Sequence, residues 1–279
     1  MAFVQAVSRL PPPLAGEGRG GGANPIRRLR HRDNLPAVIS GLIRKSVRDP
    51  KLLRYQLLKN LWIEIKRFSS PNIVNVELAA VLDIDRALIT GRVSRHCPLI
   101  LAALCQTRGY RRAFEVGTYL GETTWLLAHN NPELRVFTLD LPDLETAGAL
   151  QLERTDAEYF THWDRGRRFA GTPEQDRITQ LFGDSATFDF SPYAGTMDLV
   201  YIDASHSYSY VKSDSEAALA MLSPQGMIVW DDYTYYPGIF AYLNELAPQL
   251  KRPIMHILGT RLAIYDTAPT LPSPASGGG

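Results

Sequence analysis

The chain has 279 residues, 45% of them hydrophobic, and 30 Lys+Arg nearly balance 29 Asp+Glu. That length can bury a sizeable core, and no run of 18 apolar residues is present, which excludes a spanning helix on sequence grounds. Cys97 and Cys105 lie eight apart in a predicted helix. They offer neither a disulfide framework nor a zinc site and read as reduced core residues.

The near-zero net charge hides an asymmetry. Residues 1–72 hold 14 Lys+Arg against 4 Asp+Glu, and the remainder holds 16 against 25. A basic segment therefore precedes an acidic body. Residues 1–34, with LPPPLAGEGRGGGANP, and the tail 267–279, with APTLPSPASGGG, are rich in Pro and Gly and are expected to be disordered. Pro11-Pro12-Pro13 interrupts any apolar signal core near the start, so a cytoplasmic protein is expected. Residues 35–94 read as a basic helical extension, where Leu53, Leu57, Leu61, Ile65 and Phe68 recur at helical spacing. Such a stripe packs on a domain or across a homodimer interface, or else lies on an anionic membrane surface. Nucleic-acid binding is not expected, because no aromatic platform interleaves the basic residues and the body is acidic.

From residue 95 the pattern alternates helix and strand. A helix over 95–107 precedes a short apolar strand at 112–116, a turn bracketed by Gly117 and Gly121, and a helix from Glu122 to His129. A second strand covers 135–139 and ends in Asp140. The stretch 144–176 is longer than a minimal crossover and reads as a lid, with Trp163 and with Arg165, Arg167 and Arg168 available to an anionic substrate. An exposed basic helix without a ligand is the competing reading. Strands follow at 177–181, 198–202 and 226–230, then a helix over 239–247 and two apolar runs, 254–258 and 262–265, joined by a turn at Gly259-Thr260. This alternation predicts a Rossmann-like three-layer α/β/α sandwich.

The glycine turn departs from the dinucleotide fingerprint, since Tyr119 and Glu122 stand where Gly-x-Gly-x-x-Gly needs glycine. Glu115-Val-Gly117-Thr-x-x-Gly121 instead resembles the first motif of class I S-adenosylmethionine-dependent methyltransferases. YIDASHSYSYVKSDSEAALAMLSPQGMIVWDDY, from Tyr201 to Tyr233, resembles the branch with Ile-Asp-x-x-His-x-Tyr and a terminal Asp-Asp, similar to catechol-type and sugar O-methyltransferases. The resemblance spans residues 95 to about 265. It implies a mostly parallel seven-stranded sheet whose last strand is antiparallel, and S-adenosylmethionine as cofactor. It also implies Glu115, Gly117, Tyr119, Gly121 and Thr123 around the methionine end, and Asp140 on the ribose. Gly183-Asp184-Ser185 would sit at the adenine edge, although as a bare tripeptide it is also an ordinary turn.

Asp203, Asp231 and Asp232 fall at the ends of adjacent predicted strands. Converging carboxylates repel and suffer raised pKa values unless a cation neutralises them, and an all-oxygen set suits a hard ion such as Mg²⁺. The resemblance to catechol-type enzymes makes Asp203, Asp231 and Asp232 a candidate metal set, although those enzymes carry Asn where Asp232 stands. The alternative is that Asp231 and Asp232 cap the strand and bind water. Asp203 is also a candidate cofactor contact and catalytic group. His206, three residues on, suits a general base near neutral pH, or else caps the following helix. The expected activity is O-methylation of a small-molecule or glycan hydroxyl. The alternatives are a metal-independent N- or C-methyltransferase and a non-catalytic cofactor-binding scaffold.

Overall fold

A computed structural model describes residues 72–76, 78, 81, 97–143, 146, 148–153, 155–156, 164–257 and 259–268. The expected disordered N-terminus, the Leu53–Phe68 stripe with its dimer and membrane readings, Trp163 and the tail beyond 268 lie outside the described residues.

Eight strands form one sheet: β1 (Val74–Val76), β2 (Arg112–Val116), β3 (Arg135–Asp140), β4 (Ile178–Phe182), β5 (Met197–Ile202), β6 (Leu222–Trp230), β7 (Met255–Ile257) and β8 (Ala263–Asp266). Their spatial order is β1-β7-β8-β6-β5-β2-β3-β4. β8 alone runs against its neighbours, pairing antiparallel with both β6 and β7. Seven of these strands are the expected ones. The eighth, β1, adds parallel to β7 from a stretch whose pattern suggested helix. Val-Asn-Val is too short to show a period, so only its pairing partner reveals it.

Among the described residues four α-helices cover the sheet: α1 (Cys97–Arg108), α2 (Glu122–Asn130), α3 (Tyr208–Met221) and α4 (Pro237–Leu246). Strand residues alternate between two cores, as the period of two requires. Ala113, Leu199 and Tyr201 pack with Leu104 of α1 and Leu126 of α2. Phe114, Val200 and Ile202 pack on the other face with Val211 of α3 and Phe240 of α4. Burial on both faces is why the central strands read as nearly continuous apolar runs. Among the described residues no helix is long and apolar enough to cross a membrane.

The parallel order matters for function because β2, β3, β5 and β6 all end on one edge of the sheet. The chain reverses its winding between β2 and β5, and that edge is where open α/β sheets bind ligands.

Candidate active site

A cavity of about 300 Å³ opens at that edge. Its lining divides into an end built mainly from backbone and an end built from charged side chains.

The first end follows β2. Gly117 has φ +105°, and a Cβ placed there would stand 2.1 Å from the Asp203 carbonyl oxygen. Only glycine permits β2 and β5 to end so close together. Gly121 has φ +80° and caps α2, and a Cβ there would meet the Phe169 ring at 2.7 Å. Between them Tyr119 adopts φ 49°, a left-handed conformation uncommon for a residue with a side chain. Its amide donates to Asp140 Oδ2 at 2.6 Å, and the Leu141 amide donates to Oδ1 at 2.8 Å. The Asp140 carboxylate thus fastens the glycine turn to the end of β3.

Glu115 does not line the cavity. It lies beneath the turn, 1% exposed, accepting from Thr124 and, at 2.6 Å, from Thr138. Burial pushes its pKa up to about 8, with the two threonine hydroxyls opposing the rise. Its position ties β2, β3 and α2 together under the turn. Gly117, Tyr119, Gly121, Thr123, Asp140, Gly183, Asp184 and Ser185 all line the cavity. Asp184 accepts from Tyr210 Oη at 2.8 Å and from the amides of Ala149 and Ala186. Three donors leave a carboxylate room for roughly one more.

Residues 164–172, one described part of the expected lid, are bound to the glycine turn. The Gly166 amide donates to the Tyr119 carbonyl and the Arg168 amide to the Leu120 carbonyl, each at 2.9 Å. The three arginines here part company. The Arg165 side chain, 6% exposed, lines the cavity and lies 3.4 Å from Asp140 as an ion pair. Arg168 sits over Trp125, and Arg167 pairs with Asp164 at the surface.

The second end gathers Asp203, His206, Asp231 and Asp232 where β5 and β6 stop. His206 is 5% exposed and is held between two carboxylates, with Nδ1 2.5 Å from Asp156 Oδ1 and Nε2 3.2 Å from Asp232 Oδ2. Its ring stacks on Tyr236 at 3.8 Å. Burial opposes its charge, but Asp156 and Asp232 outweigh that and raise the pKa to about 9. The two carboxylates thus favour the protonated imidazole.

Asp231 is enclosed. Its Oδ1 accepts the Asp232 amide at 2.7 Å, and its Oδ2 faces Tyr201 Oη at 2.9 Å and Arg261 Nη2 at 3.0 Å. Burial, then the neighbouring Asp203 and Asp232, raise its pKa to about 7. Arg261 Nη1 reaches Asp232 Oδ1 at 2.5 Å, a contact with the geometry of an ion pair rather than an aligned hydrogen bond. Asp203 and Asp232 do converge with a third ligand-type group, but that group is His206. One atom from each of the three lies within 4.8 Å of the other two.

Three contributors had no signal in a local reading of the sequence. Asp156 lies fifty residues before His206, Tyr201 faces its two acids from within β5, and Arg261 arrives on the final hairpin. The antiparallel register pairs Trp230 with Ala263. Continued two residues further, it sets Arg261 beside Asp232. It is the register of this hairpin strand against β6 that exposes this neighbour.

The fold is that of a class I methyltransferase, with a glycine turn and Asp140 at one end of the cavity and an acid–histidine cluster at the other. Residues 114–233 match the family model described as a methyltransferase domain, and this part of the chain is an S-adenosylmethionine-dependent methyltransferase domain. No curated protein matches the chain. Among solved structures, cofactor-bound Rv0187 from MTB is 20% identical, covering 62% of this chain and 76% of its own, with a TM-score of 0.43. The O-methyltransferase TomG from Streptomyces achromogenes, in complex with SAM, is 19% identical over 62% of this chain and 79% of its own, with a TM-score of 0.44. The O-methyltransferase from Bacillus cereus in complex with SAH is 21% identical over 62% and 80%, with a TM-score of 0.41. These likenesses are distant, and the domain match with the site's geometry carries the assignment.

Proposed function

We propose that the chain methylates a hydroxyl of a small-molecule or glycan acceptor, with His206 receiving the proton. The observation that carries this reading is the row Asp156–His206–Asp232, which opens into the same cavity as the glycine turn. S-adenosylmethionine supplies an electrophilic methyl group on a sulfonium. The chain's own part is to align donor and acceptor and to dispose of one proton.

Each residue then has a task. Gly117, Tyr119 and Gly121 let the turn approach the methionine part, Asp140 takes the ribose hydroxyls, and Asp184 with Ser185 borders the adenine. Asp156 fixes the imidazole through Nδ1 and leaves Nε2 directed toward Asp232 and the cavity. An acceptor hydroxyl brought beside Nε2 in the deprotonated fraction loses its proton to His206 as the methyl transfers. A base of this strength stands close to a phenol's reference pKa of about 10. Asp203 borders the same space and helps to hold the acceptor.

A divalent ion is not part of this reading, because the expected set of Asp203, Asp231 and Asp232 fits one poorly. Arg261 already pairs with two of the three acids, and Asp231 spends both oxygens on protein donors. In the alternative cluster with Asp203 and Asp232, both nitrogens of His206 are already engaged by carboxylates. The test is transfer of labelled methyl from S-adenosylmethionine to a panel of phenols, vicinal diols, methyl glycosides and amines. Label on hydroxyl oxygens that disappears in His206→Asn supports the reading. Label on amines alone would replace it with N-methylation, and no transfer despite tight S-adenosylhomocysteine binding would favour a cofactor-binding scaffold.

A further inference from the structure

The Arg261 guanidinium occupies an unusual place. It projects from the end of the β7–β8 hairpin into the acidic end of the cavity. Nη2 lies 3.0 Å from Asp231 and Nη1 2.5 Å from Asp232, and the side chain is 25% exposed. The backbone reinforces the placement, since the Tyr233 amide donates to the Arg261 carbonyl at 3.0 Å. That bond ties the hairpin to the residue just beyond the acid pair. Its guanidinium also lies 5.5 Å from the Tyr235 ring centroid, which guards the outer side. Asp232 meanwhile holds a left-handed backbone, φ 58°, which an isolated aspartate seldom adopts. One face of its carboxylate meets Arg261 and the other meets His206.

Three acids at adjoining strand ends need a positive partner. A guanidinium keeps its charge at every pH a protein survives, and its planar fork can engage two carboxylates at once. A second cation between the same acids would face that fixed charge at close range.

We propose that Arg261 takes the position a divalent ion would otherwise fill. It neutralises and orients Asp231 and Asp232, transfer proceeds without a metal, and its removal uncovers a divalent-cation site on Asp231 and Asp232, the two acids it bridges. Arg261 is on this account a positioning residue, acting on the acceptor through Asp232 and His206. The inference rests on the methyltransferase reading and says how its acidic end is held.

The experiment is calorimetric titration of Mg²⁺ into chelator-stripped, full-length protein saturated with S-adenosylhomocysteine, comparing wild type with Arg261→Gln. The wild type is expected to show no saturable uptake up to about 10 mM. Arg261→Gln is expected to take up one ion at least tenfold more tightly than that limit, and to lose this uptake when Asp232→Asn is added. Methyl transfer by the wild type is expected to be unchanged by chelator, and that of Arg261→Gln to be partly restored by Mg²⁺. If Arg261→Gln loses its melting transition, Arg261→Met takes its place, since it keeps bulk against Tyr235. Saturable uptake by the wild type overturns the proposal, whatever the variants do. A folded variant that takes up no ion overturns it as well, because no cation site then lies beneath the arginine. Failure of S-adenosylhomocysteine to bind the wild type is a separate outcome that removes the methyltransferase reading and this inference together.

Discussion

The two ends of the cavity are built by different means. At the cofactor end the backbone does most of the work. Gly117 and Gly121 sit at positive φ, Tyr119 is held left-handed, and one carboxylate, Asp140, clamps the turn through two amides. At the acceptor end the backbone merely delivers strand ends, and the geometry comes from charged side chains that neutralise each other across long stretches of chain. A site made from backbone depends on conformations that few residues can adopt. A site made from paired charges depends on its partners, so single substitutions there should spare the fold of the cofactor end and alter chemistry instead.

The largest expected break in this contrast is Gly117→Ala. The added methyl would collide with the Asp203 carbonyl, which is backbone and cannot move aside cheaply. S-adenosylhomocysteine binding is expected to fall beyond detection in calorimetry, and stability to drop by about 3 kcal/mol or more in urea denaturation. Near-native affinity in this variant would mean that the turn does not touch the cofactor. At the other end, His206→Asn and Asp156→Asn should each lower the methyl-transfer rate about 10²–10³-fold, while cofactor affinity stays within about threefold. A parallel loss of cofactor affinity would show that the two ends are not separable.

Asp140→Asn should be milder. It keeps the shape but removes the charge that accepts two amides and, in the proposed function, the ribose hydroxyls, and a weakening of about 10–30-fold in S-adenosylhomocysteine binding is expected. Wild-type affinity would assign the ribose contact elsewhere. Glu115 offers a smaller test by pH. Its pKa is raised from 4.5 to about 8 in the folded chain, so the folded state keeps a proton that the unfolded chain has released. The stability this contributes is complete below about pH 4.5 and is lost as pH rises through about 8. Glu115→Gln is isosteric and permanently neutral, so it should flatten that part of the decline. Urea midpoints at pH 5 and pH 8.5 measure it, and equal slopes in both proteins would remove Glu115 from the account. The smallest effect is expected at the exposed Arg111–Glu133 pair, where Glu133→Gln should change stability by less than about 0.5 kcal/mol.

The same contrast explains what could be read from the sequence. Strands β2 to β6, the hairpin turn at Gly259-Thr260, the glycine turn and the strand-end Asp140 and Gly183-Asp184-Ser185 were legible because each rests on a local pattern of apolar run, glycine or strand-end acid. The class of fold followed from their order. β1 was not legible, since three residues carry no period. Glu115 was placed on the glycine motif correctly in sequence but lies under the turn, because alternation along β2 turns it toward Thr124 and Thr138. Asp203, Asp231 and Asp232 were found as strand-end acids, yet their electrostatic state was not. It depends on Arg261, thirty residues beyond Asp231, and on Asp156, fifty before His206. Local patterns place a carboxylate, and only the assembled sheet supplies its counter-charge.

β8 lies between β6 and β7, so the strand formed last in sequence is inserted into the middle of the sheet rather than added at its edge. Until it enters, β6 and β7 each keep an open ladder, and Asp231 and Asp232 lack the guanidinium that follows the hairpin turn. Closing the sheet and balancing the site's charge are thus one event. A chain lacking this strand would present two open ladders and leave Asp231 and Asp232 without their guanidinium counter-charge.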